Sequence, residues 1–383
     1  MSTSTHISGH YAYSDTLKGV YYGPGSVKEA LPVLLKTVGA KKALVVTGKT
    51  LYKKTAVVRK VESILKDHHA YGNTFWEIGE HAPVAGIRKG IDAFKSCGAD
   101  IIVAVGGGSP IDASKVILLN LQREAGGPYA KQIAIPTTLS AAEYTYIAGY
   151  TDGEGNKVGV NSPELAPAGI ILDAELTLCT PERLWLSTGI RALDHAIEGL
   201  YRPGQIPPLK TLFYRAAADL FEYLPKSKAD PENVTVRQKL QLASWMSMWP
   251  IKMEKLTGLG LSHSLGYKLG ATYGISHGIT SCLTLGPTVG LEAEIASQED
   301  KEWLAGALFY LQEPSTGTVE GDVRKLSEKI NQLVADLGLK SSLAEYKVPK
   351  EDLHKIAAGA LGSESDPSFP KVYQMLAGIY DTK

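Results

Sequence analysis

The feature that most constrains this chain is a run of three glycines directly after an apolar strand pattern. Residues 103–112 read VAVGGGSPID. The β-branched residues predict a buried strand, and Ser-Pro after the glycines predicts the start of a helix with Ser109 as its N-cap. Glycine lets the backbone approach a ligand closely, and the free N–H groups at a helix N-terminus favour an anion such as a phosphate. The pattern therefore predicts either a phosphate-binding turn or a tight turn without a ligand.

A second polar turn favours the phosphate alternative. Residues 135–143 read IPTTLSAAE and follow another predicted strand. In open α/β sheets, ligands bind at the carboxyl ends of parallel strands, where two such turns would lie together. The signal is moderate, because the first turn is not GxGxxG and there is no Walker lysine.

Strand and helix patterns divide the chain into two halves. Before residue 175 the sequence predicts strands alternating with helices, which indicates a parallel sheet in an α/β fold: strands in 41–48, 99–109, 132–138 and 168–173, and helices in 53–66, 87–98 and from Pro110. After it, helical patterns dominate: 181–201, 208–225, 234–255, 256–271, 277–295, 299–312 and 318–337. We expect an α/β domain over 1–175 and an all-helical domain over 176–383, with a small-molecule site in a cleft between them.

Composition excludes several classes of protein. The 383 residues contain 40 Lys+Arg and 40 Asp+Glu, so there is no basic surface for nucleic acid. Three widely spaced cysteines form neither a disulfide framework nor a zinc ribbon. Apolar runs such as 101–105 are too short to cross a membrane, and the polar N-terminus does not resemble a secretion signal. We expect a soluble cytoplasmic protein that binds neither nucleic acid nor membranes.

Three of the nine histidines lie in polar, glycine-containing contexts of the helical half. They are His195, His263 and His277. Imidazole binds metals and transfers protons near neutral pH. The alternative is that each is a histidine with a packing role in the core.

Taken together, four segments resemble the iron-type (group III) alcohol dehydrogenase superfamily: VGGGSPID, PTTLSAAE, ALDHAIE and GLSHSLGYKLGATYGISHG. The resemblance runs in order from residue 21 onward. HAPV (81–84), DAELTL (173–178) and LGLKSSLAE (337–345) are similar to the maleylacetate reductase branch. The resemblance implies a Rossmann-like dinucleotide-binding domain, an all-helical C-terminal domain and hydride transfer between NAD(P)H and a small carbonyl or alcohol substrate. It also implies a homodimer or larger assembly.

The resemblance assigns the cofactor site residue by residue. Gly106, Gly107, Gly108 and Ser109 match the pyrophosphate loop, and Asp112 matches a position toward the nicotinamide. Thr137, Thr138 and Ser140 match the second turn, and Thr47 and Gly48 match the adenosine-ribose contact. Many relatives carry Asp where this chain has Gly48. That carboxylate binds the ribose 2′-OH and repels a 2′-phosphate. Gly48 beside Lys49 therefore predicts that NADPH is accepted, unless Gly48 serves turn geometry alone.

One position departs from the metal-dependent members of the family. These use an Asp and a His four residues apart, followed by two more histidines. His195, His263 and His277 match the histidines, and they would hold any metal that bound, but Arg191 occupies the Asp position. Arginine is cationic and offers no lone pair. We therefore expect no tightly bound iron or zinc, as in the maleylacetate reductase branch, which usually carries Asn there. Asp194 is an alternative ligand, although it lies about 100° away from His195 around the helix.

The candidate catalytic residues are Arg191, His195, His263 and His277. Arg191 would stabilise negative charge on a carbonyl oxygen, clamp a substrate carboxylate, or form a structural salt bridge with Glu198 or Glu143. His263 or His277 would donate the proton. Two other functions stay open at this point: a metal-dependent alcohol dehydrogenase, and an old fold recruited for non-redox chemistry or ligand binding.

Overall fold

The computed structural model describes residues 9–11, 16–79, 83–153, 157–202, 207–249 and 258–381. The first half of the HAPV motif, the end of the predicted helix 234–255 and the start of the predicted helix 256–271 lie outside these residues. The chain forms two compact units. The first is Met1–Thr180 with Glu232–Gln241, and the second is Pro181–Pro231 with Leu242–Lys383. The domain ranges 1–175 and 176–383 stay predictions.

The first unit is built on a seven-stranded sheet in the order β1-β2-β9-β6-β5-β3-β4, in which all pairs except β1–β2 are parallel. Its strands, including the separate β7–β8 hairpin, are β1 Gly9–Tyr11, β2 Gly19–Tyr22, β3 Ala43–Gly48, β4 Tyr71–Ile78, β5 Ile101–Gly106, β6 Lys131–Pro136, β7 Ile147–Thr151, β8 Lys157–Asn161 and β9 Gly169–Leu172. Its helices are α1 Val27–Val38, α2 Lys49–Lys54, α3 Val57–Asp67, α4 Val84–Cys97 and α5 Gly108–Ala125.

Strand side chains alternate between two hydrophobic cores, one on each face of the sheet. In β3, Val45 joins the core formed with α1 and α3, whereas Leu44 and Val46 join the core formed with α4 and α5. This follows from the two-residue period of a strand. Because both faces are covered, the central strands read as continuous apolar runs, which is why the sequence predicted them.

The second unit is helical. Its helices are α6 Glu182–Tyr201, α7 Pro207–Ala229, α9 Leu261–Tyr273, α10 His277–Ile295, α11 Gln298–Ala305, α12 Ala307–Tyr310, α13 Val319–Asp336, α14 Leu353–Leu361 and α15 Phe369–Gly378, and α8 Val234–Met248 has its last residues here. Helix α6 packs on α7 and α10, and α10 packs on α9 and α13. A Cβ at Gly278 would lie 2.7 Å from the backbone of Ser187, so glycine is needed where the start of α10 crosses α6.

The predicted fold class is confirmed, with differences in detail. Strands β2 and β4 and the β7–β8 hairpin were not predicted, because their patterns mix polar and apolar residues. Ser109 is not the N-cap of α5: the cap is Gly107, and Ser109 is the second residue of the helix, so its prediction was wrong. No helix in the described part of the chain is both long and apolar enough to span a membrane.

Candidate functional site

The two polar turns of the first unit lie side by side. Strands β5 and β6 are parallel neighbours, and their register aligns Gly106 with Pro136. The backbone N–H of Thr137 donates to the carbonyl oxygen of Gly106 over 2.9 Å. Gly106 has φ +141°, a conformation that residues with a side chain rarely adopt. The sheet therefore brings the glycine turn and the 137–140 turn together, as the sequence predicted.

Glycines keep the space between the two turns open. A Cβ at Gly107 would lie 3.2 Å from the Thr138 side chain, and one at Gly108 would lie 3.3 Å from Ser140 Oγ. No side chain caps the first turn of α5, so its N–H groups are not used by a capping side chain. A backbone cradle at a helix N-terminus matches the chemistry of a pyrophosphate. These residues fit the dinucleotide that the resemblance implies.

Asp112 pairs with a buried lysine. Lys115 Nζ lies 3.0 Å from Asp112 Oδ1 and also donates to the carbonyl oxygens of Ala142 (2.7 Å) and Ile147 (2.8 Å). Burial raises the pKa of Asp112, although Lys115 opposes the shift. The pair ties α5 to the segment after the second turn, and the role of Asp112 beside the nicotinamide stays a prediction.

The end of β3 carries the residues predicted for the adenosine ribose. Thr47 is fully buried, and its hydroxyl has no hydrogen-bond partner among the described residues. Gly48 has φ −93°, and a Cβ there would meet no atom within 4 Å. Neither backbone conformation nor packing requires glycine, so turn geometry does not explain this residue. Lys49 follows as the first residue of α2.

The second unit brings Arg191, His195 and His263 together. The rings of His195 and His263 stack with centroids 5.0 Å apart and planes inclined by 30°. Arg191 Nη1 lies 3.2 Å from the hydroxyl of Ser281 on α10. His277 begins α10 and lies close enough to His195 to help lower its pKa. Three helices, α6, α9 and α10, thus supply this ionisable cluster.

Two fully buried carboxylates lie in the same cluster. Asp194 accepts hydrogen bonds from the hydroxyls of Ser262 (3.1 Å) and Ser281 (2.5 Å). It also lies 3.6 Å from Arg191 Nη1. Among the described residues Arg191 therefore forms its salt bridge with Asp194, whereas Glu198, one of the two partners suggested by the sequence, faces the start of α9.

Glu198 binds the start of α9 and the ring of His263. It accepts the backbone N–H groups of Gly260 (2.8 Å) and Ser262 (2.6 Å), and its Oε2 lies 2.5 Å from His263 Nδ1. A Cβ at Gly260 would lie 2.8 Å from Glu198 Oε1, so glycine makes this approach possible. His263 Nε2 is buried and has no partner among the described residues.

The charges give the two stacked histidines opposite character. Burial, helped by His263 and Arg191, holds the pKa of His195 well below 6.5, so this ring is neutral at neutral pH. Burial and Arg191 also depress the pKa of His263, but Asp194 and Glu198 outweigh them and the net pKa is raised. Of the two, His263 is the ring suited to carry a proton.

A cavity of about 260 Å³ opens beside His263. Tyr267 and Lys268 of α9 and Gly359 of α14 contribute to its wall. A Cβ at Gly359 would lie 3.0 Å from the Lys268 side chain, which therefore lies flat against α14. Lys268 forms no ion pair with any described residue. The cavity thus combines a buried imidazole with a cation.

Sequence reasoning missed the roles of Asp194 and Glu198. Asp194 was considered only as an alternative ligand, and Glu198 only as a partner for Arg191. Their spacing in ALDHAIE was a usable signal, because residues four apart share a helix face. Two carboxylates on one face of an otherwise apolar helix need partners when that face is buried.

Comparisons with known proteins agree with this architecture. Two family descriptions match, "Iron-containing alcohol dehydrogenase" over residues 18–174 and "Fe-containing alcohol dehydrogenase family, C-terminal" over residues 185–379. The chain is 30% identical to the NAD-dependent methanol dehydrogenase of Bacillus methanolicus, over 91% of this chain and 93% of that one. It is 29% identical to a maleylacetate reductase of Rhizobium sp. (strain MTP-10005), over 74% and 73%.

A solved structure supports the same fold. The maleylacetate reductase from Agrobacterium tumefaciens superposes with a TM-score of 0.79 at 24% identity, covering 100% of this chain and 99% of that one. The chain belongs to the iron-containing alcohol dehydrogenase family. It is an NAD(P)-dependent oxidoreductase, and its resemblance to the maleylacetate reductase branch is confirmed.

Asp194, Glu198 and His263, as they are placed here, do not have the spacing expected of three ligands around the iron that the family description implies. Asp194, Glu198 and His263 each present one ligand atom, and the three atoms lie within 4.8 Å of one another. However, Glu198 Oε2 and His263 Nδ1 are 2.5 Å apart, a hydrogen-bond distance. Two ligands at about 2.1 Å from a tetrahedral ion would be about 3.4 Å apart. In addition, the Arg191 guanidinium lies beside Asp194, where a second cation would be repelled.

Proposed function

We propose that this protein is a metal-independent NAD(P)H-dependent reductase of a small carbonyl compound. One observation carries the proposal: the Arg191 guanidinium occupies the place of the family's metal-binding carboxylate, beside two stacked imidazoles. A fixed cation can stabilise negative charge at a carbonyl oxygen without a metal ion. The backbone cradle of the first unit supports the use of a dinucleotide.

When bound, the dihydronicotinamide supplies a hydride with its electron pair to the carbonyl carbon, and the carbonyl oxygen takes up a proton to give the alcohol. Gly107 and Gly108 leave room for the pyrophosphate against the N-terminus of α5. Gly48 and Lys49 leave room and positive charge for a 2′-phosphate, so we propose that NADPH is accepted.

His263 is the proton donor in this proposal. Its Nε2 atom has no partner among the described residues, and its ring lines the cavity beside Lys268. The sequence left His263 and His277 as alternatives, and the cavity favours His263. After donating its proton, the neutral ring keeps its hydrogen bond from Nδ1 to Glu198.

Arg191 supplies the electrostatic contribution. Its side chain is 16% exposed, and a guanidinium has five N–H donors. Within the described part of the chain, Nη1 is the nitrogen that contacts Asp194 and Ser281. The remaining donors suit an oxygen that gains charge during hydride transfer. Replacing Arg191 should therefore affect kcat more than KM.

The test is an Arg191→Ala variant of chelator-treated protein. We expect kcat/KM to fall about 100-fold, since one such donor contributes about 3 kcal/mol, while the Kd for NADPH stays unchanged. Arg191→Lys keeps the charge but loses the planar geometry and should be intermediate. Unchanged kcat/KM in a folded Arg191→Ala variant would reduce Arg191 to a structural role.

For the substrate class, we propose a carbonyl compound that also bears a carboxylate. Lys268 is the cation available in the cavity wall. Succinic semialdehyde and butanal are a matched pair of probes with and without a carboxylate. Lys268→Met should raise KM for succinic semialdehyde at least about tenfold and leave KM for butanal unchanged. Lys355→Met, an exposed lysine on α14, serves as the control. Equal effects on both probes would contradict the assignment.

A metal-dependent alcohol dehydrogenase is the second candidate. The family description favours it, and Asp194, Glu198 and His263 each offer a ligand atom, although Glu198 and His263 are at hydrogen-bond distance. Metal analysis after dialysis against a chelator separates the two candidates, because metal-independent activity should survive. Arg191→Asp restores the carboxylate that metal-dependent relatives use and should create a divalent-metal site that the wild type lacks.

Recruitment for non-redox chemistry is disfavoured by the intact cradle. Close packing against Thr138 and Ser140 also calls for glycine at 107 and 108, so it is the unused N–H groups at the start of α5 that favour a bound dinucleotide. Fluorescence titration of chelator-treated protein with NADPH and NADH tests this directly. Binding of neither, in folded protein, would favour recruitment. The homodimer and the cytoplasmic location remain predictions from the sequence.

A further inference from the structure

We propose that Glu198 is a positioning residue, which holds the His263 ring by its Nδ1 proton and so keeps Nε2 available to the substrate. This inference rests on the proposed function, in which His263 donates the proton, and it identifies the group through which the enzyme controls that histidine. Glu198 itself does not touch the substrate in this arrangement.

The first support is the set of backbone hydrogen bonds that the buried carboxylate accepts. Glu198 is fully buried and lies under the first turn of α9. Its two oxygens accept the backbone N–H groups of Gly260 (2.8 Å), Ser262 (2.6 Å) and His263 (3.3 Å). The same carboxylate therefore fixes the start of the helix and the ring that the helix carries.

The second support is the proton on Nδ1. An ionised carboxylate only accepts hydrogen bonds, and the backbone N–H groups around it keep it in that role. At 2.5 Å from Glu198 Oε2, Nδ1 of His263 must therefore donate. Nε2 is then left free, and the stacked ring of His195 limits rotation of the His263 ring. Carboxylates that orient a histidine in this way set its tautomer and direction.

The third support is the cost of this arrangement. Capping a helix needs only a local Ser, Thr, Asp or Asn side chain. Burying a charged carboxylate from another helix carries a desolvation penalty that a local cap avoids. The contact also requires glycine at position 260, because a Cβ there would lie 2.8 Å from Glu198 Oε1. A role beyond capping accounts for both requirements.

The experiment replaces Glu198 by glutamine and observes the His263 ring by two-bond 1H–15N correlation NMR. In the Glu198→Gln variant the amide oxygen should face the N–H groups of Ser262 and His263, where Oε1 now lies. The NH2 group would then face Nδ1, which must accept, and the Gly260 N–H, which donates to Oε2 in the wild type, would lose its acceptor. We expect Nδ1 to be protonated in the wild type and unprotonated in the variant. We expect kcat with succinic semialdehyde or butanal to fall about 10- to 100-fold at unchanged KM.

A control is Glu292→Gln, a second buried glutamate of the same unit, which interacts electrostatically with Glu198 but is not among the described residues that hydrogen-bond to Glu198 or His263. It should change neither the Nδ1 proton nor kcat. The His263 signal is assigned by its loss in His263→Gln. If Glu198→Gln does not fold, the wild-type spectrum still decides, since an unprotonated Nδ1 there overturns the proposal.

Two further outcomes overturn the positioning role: an Nδ1 proton retained in Glu198→Gln, or a lost proton with unchanged kcat. Failure of the proposed function looks different. In that case the wild type reduces neither probe, while the Nδ1 proton still depends on Glu198, and the positioning of the ring stands without the reductase activity.

Discussion

The two candidate sites of this protein are built from different chemical groups. The dinucleotide cradle of the first unit consists of backbone and small side chains at the ends of adjacent strands. The ionisable cluster of the second unit consists of buried charged side chains from three helices. Its key contacts join residues far apart in the sequence, such as Glu198 with His263 and Arg191 with Ser281, separated by 65 and 90 positions.

This difference indicates which of the two sites a single side-chain substitution can change most. A backbone cradle binds any ligand with the right phosphate geometry, and its function depends on the absence of side chains. The cluster depends on a balance of charge. Two buried carboxylates, Asp194 and Glu198, lie beside the Arg191 guanidinium and the His263 ring, whose pKa they raise. A substitution at a single charged residue of the cluster, such as Arg191, is therefore expected to disturb this balance.

The largest expected effect is a fall in kcat caused by a substitution in the ionisable cluster. His263→Gln removes the proposed proton donor, so kcat should fall about 10²- to 10⁴-fold, while the Kd for NADPH stays unchanged because other residues form the cradle. Steady-state kinetics and a fluorescence titration measure the two quantities. If kcat falls this far in His277→Gln and not in His263→Gln, the proton donor is His277.

The next effect concerns a buried carboxyl in the first unit. Burial, only partly offset by Lys115, raises the pKa of Glu143 to about 7. Folding favours the neutral form of this carboxyl. The contribution of Glu143 to the free energy of unfolding is therefore fully present below about pH 4.5 and is lost as the pH rises through 7. Glu143→Gln removes the penalty and should be more stable than the wild type at pH 8 by up to about 3 kcal/mol, with a smaller advantage at pH 5. Unfolding midpoints at the two pH values measure this, and an equal difference at both would contradict it.

The third prediction concerns a substitution that fills the space between the two turns of the cradle. Gly107→Val places a side chain where a Cβ already lies 3.2 Å from Thr138, so the Kd for both NADPH and NADH should rise about 100-fold or more. Gly159→Val is the control, because a Cβ at this exposed hairpin position meets no atom within 4 Å. Unchanged nucleotide affinity in Gly107→Val would move the cofactor away from this turn.

The smallest expected effect discriminates between the two cofactors. Gly48→Asp introduces the carboxylate found in many relatives and should raise the Kd for NADPH about tenfold, with little effect on NADH. Gly48→Ala should change neither, since there is open space around a Cβ at this position. A strong preference of the wild-type protein for NADH would contradict the prediction that NADPH is accepted.

Much of the fold could be predicted from local sequence. The central strands β3, β5, β6 and β9 and helix α10 lie where apolar pattern and turn residues place them. Edge and hairpin strands such as β4 and β7 could not be predicted, because half-exposed strands carry mixed residues. Ser109 was wrongly assigned as the N-cap, since three consecutive glycines leave the exact start of α5 to the surrounding packing.

The sequence by itself determined the α/β and helical halves, the two turns of the cradle and the cation at position 191. These are local properties, because strand period, glycine freedom and residue identity need no distant partner. Only the tertiary structure decided that Asp194 pairs with Arg191 and that Glu198 holds His263. Those contacts depend on how α6, α9 and α10 pack. A buried charge must take whichever partner that packing brings within reach.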